Sequence, residues 1–227
     1  FQKNPNYYPL FHTDAVQAFQ FLTCNVNNLG IDLMTLSAHK IYGPKGIGIL
    51  YARAPYPKPY TLNPIITGGG HEFGLRSGTE NVPAISGFAK AIELADKNRE
   101  KEFKRIAELS AYFWKELKKI YPKAEINNSN DLKFMIYNLR KLPNILNIYF
   151  PNQNSQDLLM KLDLNGVAIS AGSACSGRTA KTSHILKALG LPEKKIKSSL
   201  RFSFGKFTNK KEIDKSLRII KMIFCHN

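Results

Sequence analysis

The sequence is poor in cysteine and has no long uncharged apolar run. Its three cysteines, Cys24, Cys175 and Cys225, are too few and too irregularly spaced for a disulfide framework or a zinc site. A low count of this kind fits a reducing compartment, so we expect a cytoplasmic protein. No stretch approaches the roughly 18 uncharged apolar residues of a membrane helix. We therefore expect neither a membrane span nor a bound metal.

Acidic residues are also scarce. The 227-residue chain has 33 Lys and Arg against 17 Asp and Glu, a net charge of +16. Such a balance can indicate nucleic-acid binding. Here the lysines are scattered through Lys-, Asn- and Ile-rich stretches, so we expect no direct nucleic-acid contact. A basic surface would still help an acidic partner protein to dock.

Strands alternate with helices, which predicts an α/β architecture. The apolar segments IDLMTLSA and GIGILYA predict buried strands around residues 31–52, and an apolar stripe predicts a helix from about Pro83 to Ile120. We expect one domain over 1–96 and a smaller α+β domain over 97–227. The start, FQKNPNYYPLFHTDAVQ, has no initiator Met and no signal core, which indicates a cut inside a larger protein.

The segment SAHKIYGPKG, Ser37 to Gly46, places a lysine between a strand and a Gly-Pro turn. Lysine amines form Schiff bases with pyridoxal phosphate, and the hydroxyl of Ser37 and the imidazole of His39 suit a phosphate. Lys40 is therefore a candidate cofactor anchor. The alternative is an exposed loop lysine without chemistry.

Three further segments hold candidate binding residues. In HTDAVQ, Asp14 could keep a pyridine nitrogen protonated and Gln17 could donate to the ring oxygen, although Asp14 could equally be a helix N-cap. Arg201, which begins RFSFG, could grip a carboxylate or be an ordinary surface arginine. The segment GGGHEFGLRSGTEN offers backbone amides and Thr79 to an anion.

One cysteine has a setting typical of a nucleophile. Cys175 lies among Gly, Ala and Ser in SAGSACSG, where a thiol has access to reactants. Buried structural cysteines usually sit among larger apolar residues. Cys24 and Cys225 have no such setting, and we interpret both as incidental.

Together these motifs resemble the aminotransferase class V branch of fold-type I pyridoxal-phosphate enzymes, and within it the NifS/IscS group of cysteine desulfurases. The order of the segments matches that of the family over almost the whole chain. The resemblance implies an incomplete large domain with a mainly parallel sheet, followed by a small domain that carries the Cys175 loop. It also implies an enzyme that takes sulfur from L-cysteine, leaves alanine and passes the sulfur to an iron–sulfur scaffold or a thiolation enzyme.

The resemblance assigns a role to each candidate. Lys40 binds pyridoxal 5'-phosphate covalently, Asp14 and Gln17 contact its ring, and Ser37 and His39 hold its phosphate. Thr79 resembles the residue that reaches the phosphate of a neighbouring subunit, which implies a homodimer. Arg201 binds the substrate carboxylate and Cys175 carries the persulfide.

The N-terminal part of the family has no counterpart in the sequence, so we expect the isolated chain to bind the cofactor poorly and to turn over little. Two alternatives stay open. One is a non-catalytic paralogue or fragment that acts as an interaction module in sulfur transfer. The other is a different class V enzyme, such as an aminotransferase or lyase, which would tolerate the loss of Cys175.

Overall fold

The computed structural model describes residues 9–53, 62–127, 142–172 and 183–225. The chain divides into two compact units, Phe1–Arg99 and Glu100–Asn227. In the first unit the elements are β1 (His12–Asp14), α1 (Val26–Leu29), β2 (Leu33–Ser37), a 3-10 turn (Ala38–Ile41), β3 (Gly48–Ala52), a second 3-10 turn (Glu72–Gly74) and the start of α2 (Val82–Ile120). The second unit holds the rest of α2 and then β4 (Glu125–Ile126), β5 (Ile145–Tyr149), α3 (Ser155–Leu164), α4 (His184–Ala188), α5 (Glu193–Ile196), β6 (Ser199–Ser203) and α6 (Lys210–Cys225). The mixed α/β class expected from the sequence is confirmed.

The sheet of the first unit has the order β1-β2-β3, with β1 parallel and β3 antiparallel to β2. Met34 points to the face of β2 opposite to Thr35, and it packs with Ala15 and Ile31 in a small core. The expectation that GIGILYA is a buried strand is wrong for β3, because Ile49 and Leu50 are exposed. In the described part of the sheet β3 is an edge strand, so a neighbouring strand covers it on one side only.

Helix α2 confirms the helix expected from about Pro83 to Ile120. Asn81 caps its first turn, where its side-chain oxygen accepts the N–H of Ala84 at 3.2 Å, and Pro83 tolerates the first turn because its missing N–H is not needed there. Beyond Arg99, the predicted stripe is buried at Ile106, Ser110, Phe113 and Leu117.

The second unit is built on the antiparallel sheet β4-β5-β6. One face of this sheet is apolar, and aromatic rings pack against it: Phe113 of α2 lies 4.8 Å from Phe202 and 5.5 Å from Phe204 between ring centroids. Ile213, Leu217 and Ile220 recur on helix α6 at spacings of four and three, the pattern of a buried helix face, and all three are buried. The core of this unit is therefore aromatic and aliphatic.

Most helix ends follow the sequence signals. Asn209 followed by Glu212 is the sequence pattern of a capping box, and the two residues do form a reciprocal cap of α6. The Ser183 hydroxyl caps α4. In the segment SQDLLMKLDLNG the sequence suggests Ser155 as the N-cap of α3, and that expectation is wrong. Asn154 is the cap, since its side-chain oxygen accepts N–H groups from the first turn, while Ser155 is already helical and buried.

Among the described residues, no helix combines the length and apolar character that crossing a bilayer requires.

Candidate functional site

Lys40 is exposed on a 3-10 turn that buries Ala38 and Ile41. Ala38 and Ile41 of the 3-10 turn pack against Phe88 of α2, within a cluster that also contains Ala91 and Ala95. A tight helical turn that buries Ala38 and Ile41 must direct the residues between them outward. His39 and Lys40 are accordingly both exposed.

Two glycines let this turn approach α2 closely. A Cβ added at Gly43 would lie 3.0 Å from the Cβ of Ala91, and one added at Gly87 would lie 2.7 Å from Cγ of Pro44. Carbon atoms do not pack that closely. Glycine at both positions therefore lets the backbone beside Lys40 lie close to α2.

Ser37 and His39 face each other beside the lysine. The Ser37 hydroxyl and Nδ1 of His39 share a hydrogen bond of 3.0 Å. Ser37 ends β2 and its hydroxyl caps no helical N–H. The pair is a hydroxyl and an imidazole at a strand end, a donor set that suits phosphate oxygens.

Asp14 lies on the same face of the sheet as Ser37. Strand β1 pairs with β2 so that Asp14 is opposite Thr35, two residues before Ser37. Alternate residues of a strand share a face, so these three side chains and His12 form one polar surface, the polar face of the first sheet. Oδ1 of Asp14 accepts the N–H of Val16 at 2.9 Å, which holds the carboxylate in a turn and engages one of its oxygens.

His12 and Thr35 are polar neighbours of Asp14 that the sequence analysis did not single out. Nε2 of His12 and Oγ1 of Thr35 share a hydrogen bond of 2.8 Å between the two parallel strands. The alternation in HTD and LMTLS places polar residues at every second position, and this signal could have found the pair. The contact ties β1 to β2 next to Asp14.

Gln17 and Thr79 are less closely tied to this face. Gln17 is exposed in the turn that follows β1. Thr79 is exposed next to Gly78, whose N–H donates to Nδ1 of His71 at 3.3 Å. Gly78 adopts a φ of 117°, which is available to glycine and strained for other residues.

Arg201 belongs to the second unit. It is half-buried on β6, and its backbone exchanges two hydrogen bonds with Ser170, of 2.6 and 3.2 Å. Nε of Arg201 is buried and has no hydrogen-bond partner among the described residues. Cys175 lies outside the described residues, although the segment that leads to it starts at Ser170.

The two described cysteines are free thiols. Burial raises the pKa of Cys24, and the Arg99 charge offsets only part of that effect. The Cys24 thiol therefore stays protonated at neutral pH, which makes it a weak nucleophile. Cys225 is exposed at the end of α6. The described ranges contain no cluster of three His, Cys, Asp or Glu side chains suited to a metal ion.

Comparison with known proteins gives one family. The aminotransferase class-V family matches residues 3–215. The chain is 40% identical over 213 residues to "Cysteine desulfurase IscS" of Dictyoglomus turgidum, covering 94% of this chain and 51% of the relative. It is 42% identical over 206 residues to "Cysteine desulfurase, mitosomal" of Encephalitozoon cuniculi, covering 90% and 44%.

Solved structures agree. A "NifS-like protein" matches with a TM-score of 0.80 and 33% identity over 96% of this chain and 53% of that one. A NifS-like protein from Rickettsia africae matches with a TM-score of 0.79 and 33% identity, over 95% and 54%.

The chain therefore belongs to the aminotransferase class-V family. Within that family its relatives are cysteine desulfurases of the IscS and NifS type, and these enzymes depend on pyridoxal 5'-phosphate. The chain spans about half the length of the curated relatives that it matches.

Proposed function

We propose that the protein is part of a cysteine desulfurase that takes sulfur from L-cysteine, leaves L-alanine and carries the sulfur as a persulfide on Cys175. The observation that carries the proposal is the exposed Lys40 amine, held beside the Ser37–His39 pair and the carboxylate-bearing polar face, in a chain 40% identical to a named cysteine desulfurase. Class membership alone would also fit an aminotransferase.

The residues of the first unit fit pyridoxal phosphate. Lys40 offers an exposed amine, Ser37 and His39 offer a hydroxyl and an imidazole to phosphate oxygens, and Asp14 offers a carboxylate to a pyridinium nitrogen. Gln17 would donate to the ring oxygen. When bound, the cofactor supplies an electron sink that eases removal of the substrate Cα proton.

The chain's own residues then have distinct tasks. Lys40 holds the cofactor and afterwards accepts and returns the substrate proton on its amine. Arg201 orients the substrate through its carboxylate. The thiolate of Cys175 attacks the substrate sulfur and the carbon–sulfur bond breaks. One cysteine thiol and one substrate thiol thus become one persulfide and one alanine, with no external oxidant.

The partners follow from this chemistry. Thr79 lies in a glycine-rich segment that would reach the cofactor phosphate of a second subunit, so we expect a homodimer. A protein with an accepting thiol, such as an iron–sulfur scaffold or a thiolation enzyme, would collect the persulfide sulfur. A reducing compartment such as the cytoplasm suits a free reactive thiol.

The test uses the protein as its source cell makes it, supplied with pyridoxal phosphate and L-cysteine. We expect equimolar alanine and sulfide with a reductant, and without a reductant one added sulfur atom in the mass of the peptide that contains Cys175. Cys175→Ser should abolish the added sulfur and keep the cofactor bound, and Cys225→Ser is the matched control.

Two results would reject the proposal. One is alanine release that survives in Cys175→Ser, which would indicate another class V enzyme. The other is a protein that binds no cofactor and yet associates with a sulfur-carrying protein, which would indicate an interaction module. The 227-residue chain alone should turn over little, because it spans about half the length of its relatives.

A further inference from the structure

Three polar residues form a row across the sheet of the second unit. The N–H of Asn127 donates to the carbonyl of Asn147 at 2.9 Å, which extends the β4–β5 pairing by one residue, and Asn147 lies directly opposite Arg201 on β6. Leu200 and Phe202, which flank Arg201, are buried on the other face. The three polar side chains therefore lie side by side, about 5 Å apart at Cβ between paired strands.

The side-chain amides of the row have a defined direction. Nδ2 of Asn127 donates to Oδ1 of Asn147 at 2.5 Å and to the hydroxyl of Ser199 at 2.8 Å, and that hydroxyl donates onward to the carbonyl of Lys195. A carboxamide carries its oxygen and its nitrogen on opposite sides of one planar carbon. With its Oδ1 engaged by Asn127, the Asn147 amide offers its Nδ2 as the donor group.

The row contains a buried donor without an acceptor. Nε of Arg201 is buried and unpartnered among the described residues, and Asn147 of β5 lies directly opposite Arg201. A buried donor without a partner is costly in a folded protein. The backbone of Arg201 is held by two hydrogen bonds to Ser170, which fixes the point from which the guanidinium extends. Two donors and one positive charge together suit a carboxylate.

We propose that Asn147 is a second donor to the carboxylate that Arg201 binds, and that Asn127 is the residue that positions the Asn147 amide. The inference rests on the proposed function, in which the ligand is the α-carboxylate of an amino acid. It goes further by naming the groups that recognise the anion and by predicting that amines without a carboxylate bind poorly.

Asn147→Asp is the sharpest variant. It keeps the volume and keeps an oxygen for the Asn127 amide, but it replaces the donor by an oxygen that pairs with Nε of Arg201. The fold should survive, since a buried unpartnered donor gains an acceptor. We expect the KM for L-cysteine to rise at least a hundredfold, because Arg201 is neutralised from within (about tenfold to a hundredfold for each charged hydrogen bond lost).

Asn147→Ala should raise the KM for L-cysteine about tenfold and leave kcat within about threefold, since only binding of the carboxylate is weakened. Asn127→Ala should act in the same direction and more weakly. Asn98→Ala is the matched control, because the exposed Asn98 amide donates only to its own helix, at the carbonyl of Leu94.

A second readout is independent of turnover. The Nε–H resonance of Arg201 in ¹H–¹⁵N spectra should shift on addition of L-alanine or acetate, should not shift with ethylamine, and should not respond in Asn147→Asp. The inference is overturned if the unchanged protein shows no shift with either carboxylate, or if Asn147→Asp binds L-alanine as tightly as the unchanged protein.

The experiments distinguish failure of the carboxylate site from failure of the proposed desulfurase function. An active desulfurase whose Asn147 variants keep the original KM would overturn the carboxylate site and leave the function standing. A protein that forms no persulfide on Cys175 but shifts Nε–H of Arg201 with L-alanine would overturn the function and leave the site.

Discussion

The two units of the chain each contain a three-stranded sheet, but they bury their apolar side chains to different extents. In the second unit Phe113, Phe150 and Phe202 are at most 5% exposed and pack ring against ring. In the first unit Ile65 is 98% exposed and Phe73 is 99% exposed, and the edge strand β3 exposes Leu50. Burial of apolar surface is the main stabilising term in folding, so the second unit has the more self-sufficient core.

Most of the candidate reactive residues, in contrast, lie in the first unit, which has the smaller core. The first unit carries Lys40, Asp14 and the Ser37–His39 pair on a small scaffold held against α2, whereas the second unit contributes Arg201 on a well-packed sheet. Exposed polar and charged groups at strand ends are available to ligands, and buried apolar groups are not. The first unit therefore carries most of the candidate reactive groups, and the second unit has the larger core.

The strongest test of this separation is Lys40→Ala. We expect activity of the protein to fall more than about a thousandfold, since a catalytic amine is removed, while the free energy of unfolding stays within about 0.5 kcal/mol because the side chain is exposed. Borohydride trapping followed by mass spectrometry should show no covalently held cofactor. Lys45→Ala, an exposed lysine of the same segment, is the matched control, and equal loss in both variants would contradict the assignment of Lys40.

The converse test is Phe113→Ala. Removing a ring that is 2% exposed and contacts Phe202 and Phe204 should lower the free energy of unfolding by about 3–5 kcal/mol, measured by urea denaturation. Phe73→Ala, in the first unit, should change it by no more than about 0.5 kcal/mol in the isolated chain. If the two phenylalanine variants were equally destabilised, the contrast between the two cores would be wrong.

A smaller effect is expected from Gly87→Ala, which probes how the first unit holds its lysine. The added methyl would meet the Pro44 ring at 2.7 Å, and a ring closed onto its own backbone cannot move aside cheaply. We expect a loss of about 1–3 kcal/mol in stability together with weaker cofactor binding at Lys40. Ser86→Ala, the exposed neighbour on the same helix, should change neither. Retained cofactor affinity in Gly87→Ala would show that the close contact between α2 and Pro44 does not position Lys40.

Local signals in the sequence predicted much of the fold. The 3.6-residue periodicity of α2 and the reciprocal cap of Asn209 and Glu212 depend on residues close in the chain, so sequence alone suffices for them. The cap of α3 was misassigned by one residue because Asn154 and Ser155 are both good caps. The exposure of β3 was missed because an apolar run does not reveal whether a neighbour covers it.

The same distinction applies to the candidate site. The sequence alone identified Lys40 and Arg201 as candidates, because each lies in one short segment that combines a functional side chain with glycine or other small residues. The His12–Thr35 contact and the Asn127–Asn147–Arg201 row join residues from different strands, and strand register alone brings them together.

The order of residues by itself determined the family, most helix ends and the candidate reactive side chains, since these depend on chemistry carried by neighbours in the chain. Tertiary structure decided which face of each sheet is polar, how closely the Lys40 turn approaches α2, and which amide stands beside the guanidinium of Arg201. Those relations depend on distances between residues that are remote in sequence, and packing and hydrogen bonding across strands set those distances.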